Sequence, residues 1–219
     1  MDIINQEVKN YIEGLNKSFS SDLLSLIEHA KENGYPIIPK DVANFLASII
    51  NIKKPKQILE IGSCVGFSSI FMALHMPKYC HITTIEKDEQ LANQAKINFE
   101  KFKMLDKITL IKGDALEILK NINTKFDFIF LDAAKGQYIN LVNDILRILE
   151  IDGVLVADDV LVRGIVTKQN QKDVDKRWRT IYNRMREFLH ILHNTDGVLS
   201  TIIPVDDGIL LSTKIKEIE

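Results

Sequence analysis

Glu60-Ile61-Gly62-Ser63-Cys64-Val65-Gly66-Phe67-Ser68 begins at the end of a short apolar run, Gln57–Ile61, and finishes where apolar residues take up helical spacing. An acid and two glycines four apart thus sit in a turn between a buried strand and a helix. In open α/β sheets ligands lie outside the carboxyl ends of the strands, where this turn must fall, and glycine lets the backbone pass close to a ligand. A dinucleotide fingerprint would read G-x-G-x-x-G and deliver a pyrophosphate to the helix N-terminus. Here the first spacing is wrong, an acid precedes the glycines, and no phosphate-binding Gly-Lys-Ser/Thr is present. Glu60 suits instead a ligand with a cationic amino group, which a carboxylate holds by charge-assisted hydrogen bonds.

Outward from this turn, apolar runs alternate with amphipathic stretches. Gln57–Ile61, Ile82–Glu86, Ile108–Lys112, Phe126–Asp132 and Val154–Asp158 read as strands, with helices near 67–76, 88–103, 114–122, 136–149 and 172–194. Such alternation implies right-handed crossovers and a mostly parallel sheet. Leu199–Val205 and Ile209–Lys214, joined by Asp206-Asp207-Gly208, read as an antiparallel hairpin. Before the Lys53-Lys54-Pro55 break, three helices are expected. Their apolar positions are Ile3, Ile4, Val8, Tyr11, Ile12 and Leu15, then Leu23, Leu24 and Ile27, then Val42, Phe45, Leu46, Ile49 and Ile50.

The 219 residues, 46% hydrophobic and 26% charged, suit one globular domain over 1–219, with residues 1–52 as N-terminal helices and 53–219 as the core. No apolar run approaches the roughly 20 residues of a membrane span. Residues 1–11 are too charged for a signal peptide, so a cytoplasmic location is expected. Cys64 and Cys80 form no C-x-x-C pair and lie near no histidine at ligand spacing, which argues against a disulfide framework or structural zinc. The net charge of −2 does not advertise a nucleic-acid partner, although it can hide a local basic patch.

The second strand ends in Thr84-Ile85-Glu86, where an acid can accept hydrogen bonds from a ribose diol. The third leads into Gly113-Asp114-Ala115, which can flank an adenine ring. Singly, Glu86 and Asp114 could be no more than helix-start acids. Together with the acid–Gly–Gly turn they form the S-adenosylmethionine pattern at the ends of three successive strands. The fold expected is then α/β and Rossmann-like, a methyltransferase sheet of seven mostly parallel strands with the C-terminal hairpin antiparallel.

Strand four ends at Asp132-Ala133-Ala134-Lys135-Gly136-Gln137-Tyr138 and strand five at Asp158-Asp159. Adjacent strands lie about 4.8 Å apart, so three carboxylates here would raise one another's pKa unless a cation joins them. With oxygen ligands alone, Mg²⁺ or another hard ion such as Mn²⁺ or Ca²⁺ is expected rather than zinc. The bland alternative makes Asp158 and Asp159 a solvated turn and Asp132 a helix cap. Lys135, at a helix start where a cation opposes the dipole, is a candidate general base when neutral or oxyanion holder when charged. It could also be a surface lysine.

On these residues the chain resembles the metal-dependent O-methyltransferases of the catechol and caffeoyl coenzyme A type. The resemblance implies cofactor contacts at Glu60, Gly62, Gly66, Ser68, Glu86, Asp114, Ala115 and Asp132, a base at Lys135, and a metal on Asp132, Asp158 and Asp159. Asp159 replaces the family's usual Asn. Longer strings are similar to a bacterial branch that methylates 5-hydroxyuridine at the tRNA wobble position: Gly34-Tyr35-Pro36-Ile37, Val160-Leu161-Val162-Arg163-Gly164, Lys176-Arg177 and Ile202–Gly208. This implies a further cofactor contact at Ile37, a tRNA anticodon-loop partner and a homodimer, with the first helices as candidates for its interface.

Between Arg163 and His190, eight Lys/Arg face three acids, a local charge of +5, which would attract RNA phosphates. Arg163, Lys176, Arg177 and Arg179 are the expected contacts. Trp178 and Tyr182 could stack on bases or face the core. The leading expectation is metal-assisted methyl transfer to a wobble hydroxyuridine, and the alternative is the same transfer to a catechol-like or other small-molecule hydroxyl. A reductase is disfavoured by the glycine spacing, and a non-catalytic RNA binder by the retained metal and base positions.

Overall fold

A computed structural model describes residues 5–16 and 18–218. The expected positions Ile3 and Ile4 lie outside these residues. The fold is the Rossmann-like α/β methyltransferase arrangement with N-terminal helices and a seven-stranded sheet. Its residues group into two compact units, Gln6–Ala115 and Leu116–Glu219.

In the first unit the helices α1 (Gln6–Leu15), α2 (Ser21–Glu32) and α3 (Lys40–Lys53) precede β1 (Gln57–Ile61), α4 (Phe67–His75), β2 (His81–Glu86), α5 (Glu89–Lys101) and β3 (Ile108–Lys112). Sequence chemistry sets several ends. Ser20 caps α2 by accepting from the Leu23 amide, and Asp88 caps α5 by accepting from the amides of Gln90 and Leu91. Lys54, left-handed at φ 51°, closes α3. The strands lie in the order β3-β2-β1, all parallel. Ile58, Leu59 and Ile82 are fully buried, as strands covered on both faces require. The register sets Glu60 beside Thr84.

The second unit runs α6 (Ala115–Asn121), β4 (Phe126–Leu131), α7 (Tyr138–Ile148), β5 (Leu149–Ala157), α8 (Arg179–Asn194), β6 (Val198–Ile203) and β7 (Ile209–Lys214). Its strands lie in the order β4-β5-β7-β6. β4 and β5 are parallel, while β7 returns antiparallel to both β5 and β6. Tyr138 packs edge-on against Phe188 at 5.4 Å, and its hydroxyl reaches the carbonyls of Leu131 (3.3 Å) and Asp158 (3.1 Å), tying together the ends of β4 and β5. The buried Lys214 ammonium donates to the carbonyls of Leu146 and Leu149 and to Glu217.

Two elements differ from the sequence expectation. β5 starts at Leu149 rather than Val154, because Asp152-Gly153, which reads as a turn, is absorbed as an irregularity inside the strand. Asp152 takes φ 61°, and the ladder shifts between the Phe126↔Leu149 and Phe128↔Val154 pairs. α8 starts at Arg179 rather than near 172. Asp175 caps a short 3₁₀ turn over Lys176–Trp178 and separates it from the helix proper. Among the described residues no helix is long and apolar enough to cross a membrane.

Candidate functional site

The glycine turn of the first unit is built by positive-φ residues. Gly62 (φ 99°), Cys64 (φ 47°) and Gly66 (φ 84°) reverse the chain between β1 and α4. The Gly62 amide donates to the Ile85 carbonyl at 2.9 Å, and the Gly66 amide to the Ser63 carbonyl at 2.7 Å. Gly66 is required by packing, since a Cβ there would lie 2.5 Å from the Phe99 ring. Asn98, buried on α5, fixes the turn further by donating to the Val65 carbonyl at 2.8 Å.

Glu60 is fully buried. Its carboxyl group accepts from Ser68 Oγ and Thr84 Oγ1, each at 2.5 Å, and from Ser69 Oγ. The structure thus places the acid expected to meet a ligand's amino group inside a set of hydroxyls. Ser69 and Thr84 were absent from the sequence-derived set. Glu86, at the end of β2, accepts from the Cys64 amide through Oε2 and from the Asp88 amide through Oε1, each at 2.8 Å. It ties the glycine turn to the start of α5. Each of its oxygens keeps a further lone pair, so it can still accept from a diol. Asp114 pairs with Lys87 at 2.7 Å. Ala115 opens α6, and Ile37 lies half-buried in the extended segment before α3.

In the second unit Asp132, Lys135, Asp158 and Asp159 come together at the ends of β4 and β5. Lys135 Nζ lies 2.5 Å from Asp159 Oδ2, both side chains partly buried. Burial alone would lower the Lys135 pKa, but the hydrogen bond to Asp159 and the charges of Asp159, Asp132 and Asp158 hold it above the ordinary lysine value. Burial pushes Asp132 up to about 6 against the opposing pull of Lys135. Asp158 is pushed up to about 8 by burial and by the charges of Asp132 and Asp159.

These observations correct the expected Mg²⁺ centre on Asp132, Asp158 and Asp159. Among the described residues no group of three or more His, Cys, Asp or Glu is arranged to hold a metal ion. The carboxylates do converge. Their charge is opposed by the Lys135 ammonium, and burial together with mutual repulsion favours the protonated form of Asp158.

Asp207, on the turn between β6 and β7, also escaped the sequence reading. Its Oδ1 accepts from the Arg163 amide at 2.5 Å, while its carbonyl and that of Gly208 accept from the amides of Leu161 and Val160, each at 2.9 Å. This turn pins a segment in which Asp159 (φ 57°), Val162 (φ 48°) and Arg163 (φ 54°) are all left-handed. Burial raises the Asp207 carboxyl to about 6.

Part of the basic segment is committed to backbone carbonyls. Arg179 donates to the Val174 carbonyl, Arg184 to that of Gly136, and Arg186 to those of Val166 and Lys168. Arg177 pairs with Asp175, and Tyr182 is buried with its hydroxyl on the Lys168 carbonyl. Arg163 and Lys176 remain exposed.

Residues 18–215 match the O-methyltransferase family. The chain is 28% identical over 183 residues to a caffeoyl-CoA O-methyltransferase of Populus kitakamiensis, covering 81% of this chain and 78% of that one. It is 29% identical over 186 residues to a catechol O-methyltransferase of Niastella koreensis, covering 82% and 84%. Its fold superimposes with a TM-score of 0.84 on the O-methyltransferase TomG of Streptomyces achromogenes, solved in complex with S-adenosylmethionine, at 24% identity over 96% of both chains. The expected placement in the tRNA-modifying branch is corrected by these likenesses to caffeoyl-CoA and catechol enzymes. Of the residues expected to contact RNA, Arg179 serves as a loop clamp on the Val174 carbonyl. With the family match spanning nearly the whole chain, this protein belongs to the O-methyltransferase family and is an S-adenosylmethionine-dependent O-methyltransferase.

Proposed function

We propose that the enzyme methylates the hydroxyl of a small, catechol-like molecule. The observation that carries this reading is the Lys135–Asp159 ion pair, held by strand ends and still partly open to solvent. A phenolic oxygen must carry negative charge to act as a nucleophile. A lysine kept charged by its carboxylate neighbours can donate a hydrogen bond to that oxygen as its proton passes to solvent water at the partly open site. Lys135 is thus assigned the oxyanion-holding role, and Asp159 fixes its ammonium. The likeness to caffeoyl-CoA and catechol enzymes supports the substrate class.

The donor set of the glycine turn fits the cofactor. S-adenosylmethionine supplies, when bound, a sulfonium methyl group. Glu86 has acceptor capacity for a ribose diol, Asp114 and Ala115 border the neighbouring strand end, and Glu60 with Ser68 stiffens the turn from within. The single-domain reading is supported by a family match from 18 to 215. A homodimer is supported by α1, which leaves Val8, Tyr11, Ile12 and Leu15 exposed along one helical stripe.

The test is methyl transfer from labelled S-adenosylmethionine to a panel of catechols, monophenols and aliphatic alcohols. Methylation of catechols with Lys135-dependent kcat is expected. Turnover of none of them, or equal turnover by Lys135→Met, overturns the proposal.

A further inference from the structure

We infer that Arg184 is a positioning residue for methyl transfer, gripping from α8 the turn that carries Lys135 and so aiming the lysine's ammonium at the substrate oxygen. The inference rests on the oxyanion-holding role proposed for Lys135. Lys135 opens a three-residue 3₁₀ turn, Lys135–Gln137, and Ala134 before it supplies no side-chain cap. One backbone bond closes the turn, from the Gln137 amide to the Ala134 carbonyl at 2.7 Å. Hydrogen bonds of the 3₁₀ type have poorer geometry than those of an α-helix, and packing does not brace this turn at its middle. A Cβ built on Gly136 meets nothing within 4 Å but Arg184 Nη1, at 4.0 Å. What holds the middle of the turn is the Arg184 guanidinium, which donates through Nη1 to the Gly136 carbonyl at 2.9 Å, across 48 residues of chain.

α8 secures the exit of the turn as well. Phe188, one helical turn after Arg184 and on the same face, packs edge-on against Tyr138 at 5.4 Å. Tyr138 is fully buried, and its hydroxyl reaches the carbonyls of Leu131 and Asp158. The exit is thus fixed to both strand ends, while the peptide one residue on from Lys135 depends on Arg184. Arg184 is half-buried, and among the described residues its guanidinium goes to this carbonyl and to no carboxylate. Such charge-assisted bonds are about twice as strong as neutral ones. Without the donor the Gly136 carbonyl is free to reorient, and a misplacement of about 1 Å at a reacting centre costs up to about 10²-fold in rate.

The experiment measures methyl transfer to a catechol, and calorimetric affinity for S-adenosylhomocysteine, in wild type, Arg184→Ala, Arg184→Lys, Lys135→Met and the double variant Arg184→Ala with Lys135→Met, each well below its melting temperature. Arg184→Ala is expected to lower kcat about 10- to 100-fold. Its KM for the catechol and its affinity for S-adenosylhomocysteine should stay within about twofold of wild type. Arg184→Lys should recover most of kcat, because the bond to Gly136 is single and an ammonium can make it. In the Lys135→Met background, Arg184→Ala should lower kcat by no more than about twofold, since a residue that acts through Lys135 then has nothing to aim. Arg184→Met, which keeps part of the stem, takes the place of Arg184→Ala in the cycle if the alanine variant does not fold. Undiminished kcat in the Arg184 variant, no recovery by lysine, losses that multiply in the double variant, or a rise in KM alone overturns the role of Arg184 while leaving Lys135 in the chemistry. Wild-type kcat in Lys135→Met overturns the reading on which the inference rests.

Discussion

Lys135 Nζ and Asp159 Oδ2 lie 2.5 Å apart, although Lys135 stands on the short 3₁₀ turn after β4 and Asp159 leaves β5 in a left-handed conformation. The pair is therefore set by two separate strand ends, and its geometry depends on both. Replacing Lys135 with Met, which keeps the stem and removes the charge, should lower kcat about 10²–10³-fold, the range for losing one oxyanion-holding donor. Affinity for S-adenosylhomocysteine should stay within twofold. Wild-type kcat in this variant would remove Lys135 from the chemistry.

Asp207 gives the fold a pH dependence of definite sign. Its carboxyl is raised by burial from 3.8 to about 6, so between these values the unfolded chain has lost the proton while the folded chain keeps it. Stability contributed by this group falls as pH rises through that window and is level above it. Asp207→Asn keeps an oxygen for the Arg163 amide and cannot ionise. Its melting temperature relative to wild type should rise from pH 4 to pH 6.5 and then hold. A difference that is flat across this range would show that Asp207 titrates normally.

Glu60 is the structural keystone of the glycine turn, accepting from Ser68, Ser69 and Thr84. Glu60→Ala strands three hydroxyls, each at about 1–3 kcal/mol if left unpaired, and should destabilise the ligand-free protein by about 3 kcal/mol or more in urea unfolding. Thr84→Val removes one donor without stranding its own polar atom and should cost about 1 kcal/mol. Equal stability of Glu60→Ala and wild type would return Glu60 to direct ligand contact.

The strands were legible because short apolar or β-branched runs stand out between amphipathic stretches, and β1, β3 and β7 begin and end where those runs do. The roles of individual polar groups were less so. Thr84 lies 24 residues from Glu60 and becomes its neighbour only through the parallel register of β1 and β2. The meeting of Asp132, Asp158 and Asp159 followed from strand order, yet what neutralises them did not. The direction of the Lys135 side chain depends on a 3₁₀ turn that reads in sequence as ordinary helix. Asp207 acts through a loop 44 residues away, a pairing that hairpin chemistry alone does not disclose.

Gly66 and Phe99 are coupled by contact. Gly66→Ala meets both a left-handed backbone at φ 84° and ring carbons within 3 Å of the new Cβ, and should destabilise by about 2–4 kcal/mol from strain and overpacking combined. Phe99→Leu gives the methyl some room. In the double-mutant cycle the two changes should couple favourably by about 0.5 kcal/mol or more. Strict additivity would mean that backbone strain alone accounts for the cost of Gly66→Ala.

The arginines of α8 and of the 3₁₀ turn before it divide into clamps and surface charges, and stability measurements should separate them. Arg186 donates to two carbonyls of the loop before the helix, Val166 and Lys168, and lies over the Tyr182 ring at 5.2 Å. Its truncation leaves both carbonyls short of a charged donor. Arg186→Ala should cost about 1–3 kcal/mol and should expose the 163–175 loop to limited proteolysis, since loop backbone is cut where its tethers are lost. Arg177 sits in an exposed pair with Asp175, with side-chain exposures of 75% and 58%. Arg177→Ala should therefore change stability by no more than about 0.5 kcal/mol and leave the digestion pattern unchanged. If the two variants instead behave alike, in unfolding and in proteolysis, the carbonyl bonds of Arg186 hold no part of this loop in place.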